Sequence, residues 1–253
     1  MKSFFASDFS SGISTPIIDH YDVVKVALPV LLNTKGVEVV SCEVTDARLY
    51  IKWINTAMTA EVKGKRVGDV IRAGGILGNS EIGMGSLFVK PFAEQLVCLN
   101  GMIRDKDAFR RAHLGRTIEG ENVVQFLTDE TKRAEDHAIL LKVRDVINSA
   151  MDAVAFRKWV DDMQNATEQK IEGSPIAAIE ELASQFSLND GEQNSVLRHL
   201  IEGADLSRYG VMNAVTRASQ DLESYDRATD FEAFGGAILD LPQADWKRIA
   251  VAA

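Results

Sequence analysis

Along this chain the spacing of apolar residues changes period twice. Val23, Val24, Ala27 and Leu31 recur near helical steps, and Asp19 or Asp22 stands where a side-chain oxygen can accept the free N–H groups of a first turn. The pattern predicts a short helix closed by Lys35-Gly36, with Pro29 inside it as the point of a kink or a restart. From Val37 the period becomes two. Val37 to Val44 and Leu49 to Ile54 are rich in β-branched and aromatic residues and are joined by Thr45-Asp46-Ala47, which reads as a hairpin. Alternation then places Leu49, Ile51 and Trp53 on one face and Tyr50, Lys52 and Ile54 on the other. Val67 to Ile76 predicts a third strand broken at Gly74-Gly75, and Met84 to Lys90 a fourth. Phe92 to Leu99 fits a fifth strand or a short helix. The turns between them come from Gly78-Asn79-Ser80-Glu81, Gly83, Gly85 and Asn100-Gly101, where Gly and Asn tolerate positive φ.

From Arg104 the helical period returns and holds almost to the end. Residues 124–170 predict one long helix with room for a break, and Gly173-Ser174-Pro175 stops it. Further helices are expected over Ile176 to Phe186, after an N-cap at Asn189 or Asp190, and from about Leu206 to Leu222. The tail from Asp230 to Ala250, with Gly235-Gly236 and Leu241-Pro242, is expected to pack back on the body. The fold class is therefore α+β: an antiparallel sheet of four or five strands flanked by helices, then a largely helical C-terminal part. Residues 1–120 form the sheet-containing part and 121–253 the helical part packed on it, or the two make one domain.

Composition narrows the function classes. The 253 residues are 46% hydrophobic and 26% charged, enough for a sizeable core, and no apolar run suffices for a membrane span. The opening MKSFFASDFSSG lacks the pattern of a signal peptide. Cys42 and Cys98 form no CxxC pair, so two buried thiols in a reducing cytoplasm are expected rather than a disulfide. The net charge of −9 is uneven: residues 1–150 carry 19 basic against 19 acidic side chains, and 151–253 carry 9 against 18. A neutral first part can still present a local basic face.

Two basic clusters stand out. Lys63, Lys65 and Arg66 meet no acid between Val62 and Gly68; Arg104, Lys106, Arg110, Arg111 and Arg116 face only Asp105 and Asp107 in their segment. Both adjoin predicted strands, and local positive charge of this kind is what phosphate contacts require. Tyr50, Trp53 and Phe88 are candidate stacking rings; Trp159 and Trp246 read as packing anchors. Asn79, Ser80, Glu81 and His113 form a second candidate, an enzyme pocket or a set of turn-satisfying polar groups. Asp161-Asp162 and Glu180-Glu181 read as solvated helix faces. Walker A, HExxH, EF-hand and GxSxG patterns are absent, and His20, His113, His137 and His199 lie too far apart in sequence for ligand spacing. No cofactor, metal or catalytic residue is called for.

The stretch GNSEIGMGSLFVKPFAEQLVCLNGMI (Gly78 to Ile103) resembles the asparagine-serine, glycine-bend and cysteine-x-asparagine pattern of the phage- and plasmid-related family catalogued as domain of unknown function 932. His113-Leu114-Gly115-Arg116 falls where that family often has His-x-Gly. RYGVMNAVTRAS (Arg208 to Ser219) and YDRATDFEAFGGAIL (Tyr225 to Leu239) are similar to its C-terminal signature. The resemblance implies a gene of prophages, plasmids and other mobile elements and transfers no catalytic residue. With the basic clusters it favours a nucleic-acid-associated protein, concretely single-stranded DNA binding or annealing in recombination by a homo-oligomer. The alternatives are a protein-interaction module that takes a host protein, as a defence inhibitor or replication accessory, and an enzyme with an unrecognised pocket.

Overall fold

Asp19 accepts the amide of Tyr21 at 2.8 Å and opens α1 (His20–Asn33). The helix runs on through Pro29 without a restart, and its buried stripe is Val23, Ala27 and Leu31. Gly36, at φ 81°, turns the chain into the sheet. In this computed structural model the described residues are 18–63, 69–82, 85–96, 100–106, 108–111, 129–149 and 152–253, without the side chains of 110, 111, 129, 132 and 149.

The sheet is an antiparallel meander of five strands: β1 (Val37–Val44), β2 (Leu49–Glu61), β3 (Val70–Asn79), β4 (Leu87–Gln95) and β5 (Asn100–Ile103). A short β6 (Phe109–Arg111) pairs with the first residues of β4. The expected hairpin faces hold. Leu49, Ile51 and Trp53 pack with α1 and with α2 (Asp129–Ser149), while Tyr50 and Ile54 join Ile76, Phe92 and Ile103 on the reverse face. β2 runs longer than its alternation suggested, because a register shift between Ile54 and Thr59 moves the inward positions to Ala60 and Val62.

Three strand expectations are corrected. β3 is not broken at Gly74-Gly75, since both residues stay in register with Ile54 and Trp53. The glycines serve close approach instead: a Cβ at Gly74 would lie 2.0 Å from the Trp53 carbonyl oxygen, and one at Gly75 would lie 2.2 Å from the Trp53 ring. Phe92 belongs to β4, and Asn100-Gly101 begins β5 rather than a turn. β4 carries Pro91 without losing a ladder bond, because its far edge is paired by β6 at Leu87 to Val89 and by β5 from Phe92 on. Pro91 falls in the gap, where its carbonyl still accepts the Arg104 amide at 3.1 Å.

The helical region is not one rod. α2 is followed by α3 (Ala153–Thr167), which Asp152 opens by accepting the amides of Val154 and Ala155. Pro175 and Ser174 open α4 (Pro175–Phe186). Asn189 and Glu192 form a reciprocal capping box on α5 (Asp190–Gly203). Then come α6 (Arg208–Ala218) with a 3-10 turn at Ser219–Asp221, α7 (Tyr225–Asp240) and α8 (Gln243–Ala250). Trp159, Tyr209, Phe231 and Trp246 pack in one cluster with Ile71, Ala73, Ala93 and Met102 of the sheet, so sheet and C-terminal helices share a core. Arg208, buried at 4% exposure, donates to the carbonyls of Ile238, Leu239 and Leu241 and neutralises the C-terminal end of α7. Among the described residues no helix is long and apolar enough to cross a membrane.

Candidate functional site

An open cleft of about 190 Å³ lies at the seam between the two large core clusters. Its floor is the middle of β3 and β4, at Ala73, Gly74, Val89 and Pro91. These side chains are small or short, which leaves space between them and the residues of α2 and α3 that also line the cleft. Val146 of α2 forms one wall; Ala155, Phe156 and Trp159 of α3 form the other. Arg104, Lys106 and Asp152 also line it. Trp159 is 4% exposed, and among the described residues its indole N–H has no acceptor. A buried N–H without a partner costs on the order of 1–3 kcal/mol, so a ligand acceptor there would be favoured.

The charges around the cleft divide into committed and uncommitted groups. Arg104 is committed. It donates Nε to both carboxylate oxygens of Asp240 at 2.9 Å and Nη2 to Asp162 at 2.6 Å, with its guanidinium over the Trp159 ring. Burial opposes its charge, but the hydrogen bonds it donates to Asp240 and Asp162 outweigh it and raise the pKa. Asp162, read as solvated, is thereby an internal partner of Arg104. Lys90 is bound to Asp105 at 2.6 Å. Asp152 is held ionised by the two α3 amides it caps, which lower its pKa. Lys106 is exposed, and among the described residues its ammonium has no ion-pair partner.

Lys63 reaches the same helix from the other end. Its amide donates to Gln164 Oε1 at 2.8 Å, and its carbonyl accepts Gln164 Nε2 at 2.7 Å. Its side chain is exposed and, among the described residues, unpaired. From Ala155 at the cleft to Gln164 is about 14 Å along the α3 axis. Between them Arg157 and Lys158 are exposed. Sequence reasoning passed over this Arg-Lys pair; its signal was two adjacent cations directly before Trp159, in a segment otherwise read as packing.

The remaining basic candidates divide in the same way. Arg110 and Arg111 lie on β6, in register with Phe88 and Leu87 of the strand that supplies the floor. Lys65, Arg66 and Arg116 lie outside the described residues. Of the candidate rings, Tyr50 and Trp53 are at most 1% exposed and belong to the core; Phe88 is half-buried beside Lys90.

The second candidate set is a fastening. Asn79 donates Nδ2 to the Ile18 carbonyl at 2.9 Å and lies 2.9 Å from His20 Nδ1. Glu81 accepts the His20 amide and stands 3.6 Å from its ring nitrogen. Together they fix the first turn of α1 to the end of β3. Ser80 is fully buried beside them, and His113 lies outside the described residues. Cys42 is an exposed free thiol, against the expectation of burial; Cys98 is outside the description. Among the described residues no group of three His, Cys, Asp or Glu could hold a metal ion.

No protein-family model, curated protein or solved structure matches this chain. The cleft and its cations are therefore read from their own chemistry.

Proposed function

We propose that this is a nucleic-acid-associated protein of a mobile element that holds single-stranded DNA along α3, in the service of strand annealing during recombination. The observation that carries the reading is the set of exposed cations beside α3, Arg157 and Lys158 on the helix, Lys106 at the cleft and Lys63 tied to Gln164, next to an aromatic-walled cleft. Electrostatic contact with phosphates needs charges not already spent on carboxylates; Lys63, Lys106 and Lys158 have no ion-pair partner among the described residues, and Arg157 donates Nε to the Ala153 carbonyl and acts on Asp152 only through space. The resemblance carried by Gly78 to Ile103 and by the two C-terminal stretches supports a mobile-element origin. The overall charge of −9 opposes long-range attraction, so binding falls to this local track.

The test is fluorescence anisotropy of a labelled single-stranded oligonucleotide at several salt concentrations. Wild-type protein should bind and weaken steeply as salt rises. Lys63→Ala with Lys106→Ala should weaken binding and flatten the slope of log K against log salt by about 0.7 per lysine. Absence of binding at low salt, or an unchanged slope in the double variant, would overturn this reading.

A further inference from the structure

We infer that the cleft beside Trp159 seats a single unstacked base of the bound strand, with the phosphate next to it on Lys106. The inference rests on the nucleic-acid reading above and names what the cleft takes. Pockets for drug-sized ligands run to about 300–1,000 Å³. At about 190 Å³ this cleft suits one ring system and not a whole nucleotide, which leaves sugar and phosphate at its mouth. The lining is what a flat heteroaromatic ring requires: Phe156 and Trp159 on the helix side, above a floor that includes Val89 and Pro91. Bases also carry carbonyl and ring-nitrogen acceptors on their edges. The unpartnered indole N–H of Trp159 is a buried donor for one of them. Trp53 also lacks an acceptor among the described residues, but it is 0% exposed and packed within the core against α1 and α2. Lys106 supplies the charge complement, because Arg104 and Lys90, which also line the cleft, are already bound to carboxylates.

A base seat predicts that affinity depends on bases as well as phosphates. The full-length protein would be titrated by anisotropy with an all-thymidine oligonucleotide and with a chain of equal length in which every base is replaced by an abasic tetrahydrofuran. The thymidine chain should bind about tenfold more tightly, since stacking of one base contributes on the order of 1–3 kcal/mol. Ala155→Phe fills the cleft from an exposed helix position and should abolish that preference. Trp159→Phe, checked for folding by circular dichroism, keeps a ring but removes the N–H and should lose part of the preference. Equal affinity for the two chains would overturn the base seat and leave the nucleic-acid reading standing. A preference that survives Ala155→Phe would place the base elsewhere and also overturn it. Failure to bind either chain would overturn both.

Discussion

Arg104 shows how burial changes what a charged side chain means. In sequence it heads a basic cluster; in the fold it is 7% exposed and clasps Asp162 of α3 and Asp240 of α7. Arg104→Ala would strand both carboxylates. Because these are 32% and 29% exposed, water recovers part of the loss. The expected destabilisation is about 2–3 kcal/mol, below the value for a fully buried pair, and would be read from urea unfolding. Glu192 behaves differently. Hydrogen bonds from Arg227 hold its carboxyl below the usual range, burial opposes them, and the Asn189 amide adds to the lowering. A depressed folded-state pKa contributes stability above the unfolded value of about 4.3 and loses it as pH falls through the folded value. The stability gap between wild type and Glu192→Gln should therefore be full at neutral pH, begin to narrow near about pH 4.3 and close only below the depressed folded-state value, as urea midpoints across the acid range would record.

Strands and helices here depend on individual positions where backbone and side chain must agree. Gly75 crosses the Trp53 ring so closely that a methyl group would need the indole to move, and Trp53 is wholly buried. Gly75→Ala should cost several kcal/mol or prevent soluble expression; thermal unfolding against wild type is the measurement. The capping box on α5 is a milder case. Asn189→Ala removes the acceptor for the Glu192 amide and should cost about 1 kcal/mol, again by urea unfolding. Helical periodicity from Arg104 onward concealed β6, a three-residue strand too short to show a period of its own. It also ran α2 and α3 together, although Asp152 and its two accepted amides mark a new N-terminus.

The core shared by sheet and C-terminal helices governs how the chain can be divided. Gly173 and Ser174 donate their amides to Ala250 and Ala252, and α4 to α8 supply most of the cluster that covers Ile71, Ala73, Ala93 and Met102. Truncation after residue 173 would expose those residues together with Trp159 and Met163. Each large apolar side chain contributes roughly 1.5–3 kcal/mol when buried, so several together exceed the stability of a typical domain. The truncated chain should be unfolded or aggregated by circular dichroism and size-exclusion chromatography. The surplus acid of residues 151–253 is partly internal. Asp162 and Asp240 serve Arg104, Glu192 serves Arg227, and Asp221 gathers Ser195, Arg198 and His199.

Local pattern by itself determined the α+β class, the hairpin with its two faces, and helix starts at Asp19 or Asp22, near Pro175, and at Asn189 or Asp190, among which the structure selects Asp19, Ser174 and Asn189. Each follows from a period or a cap that acts between near neighbours. The Asn79 and Glu81 ties to α1 were legible only as polar groups near turns, because their partners lie some sixty residues away. Only the tertiary structure decided which cations are committed to carboxylates. Arg104 and Lys106 are two residues apart and chemically alike in sequence. One is spent on aspartates 58 and 136 residues distant, and the other stands exposed at the cleft. The cleft has the same origin: small residues of two strands, an indole without an acceptor among the described residues and a lysine meet only where the sheet faces α2 and α3.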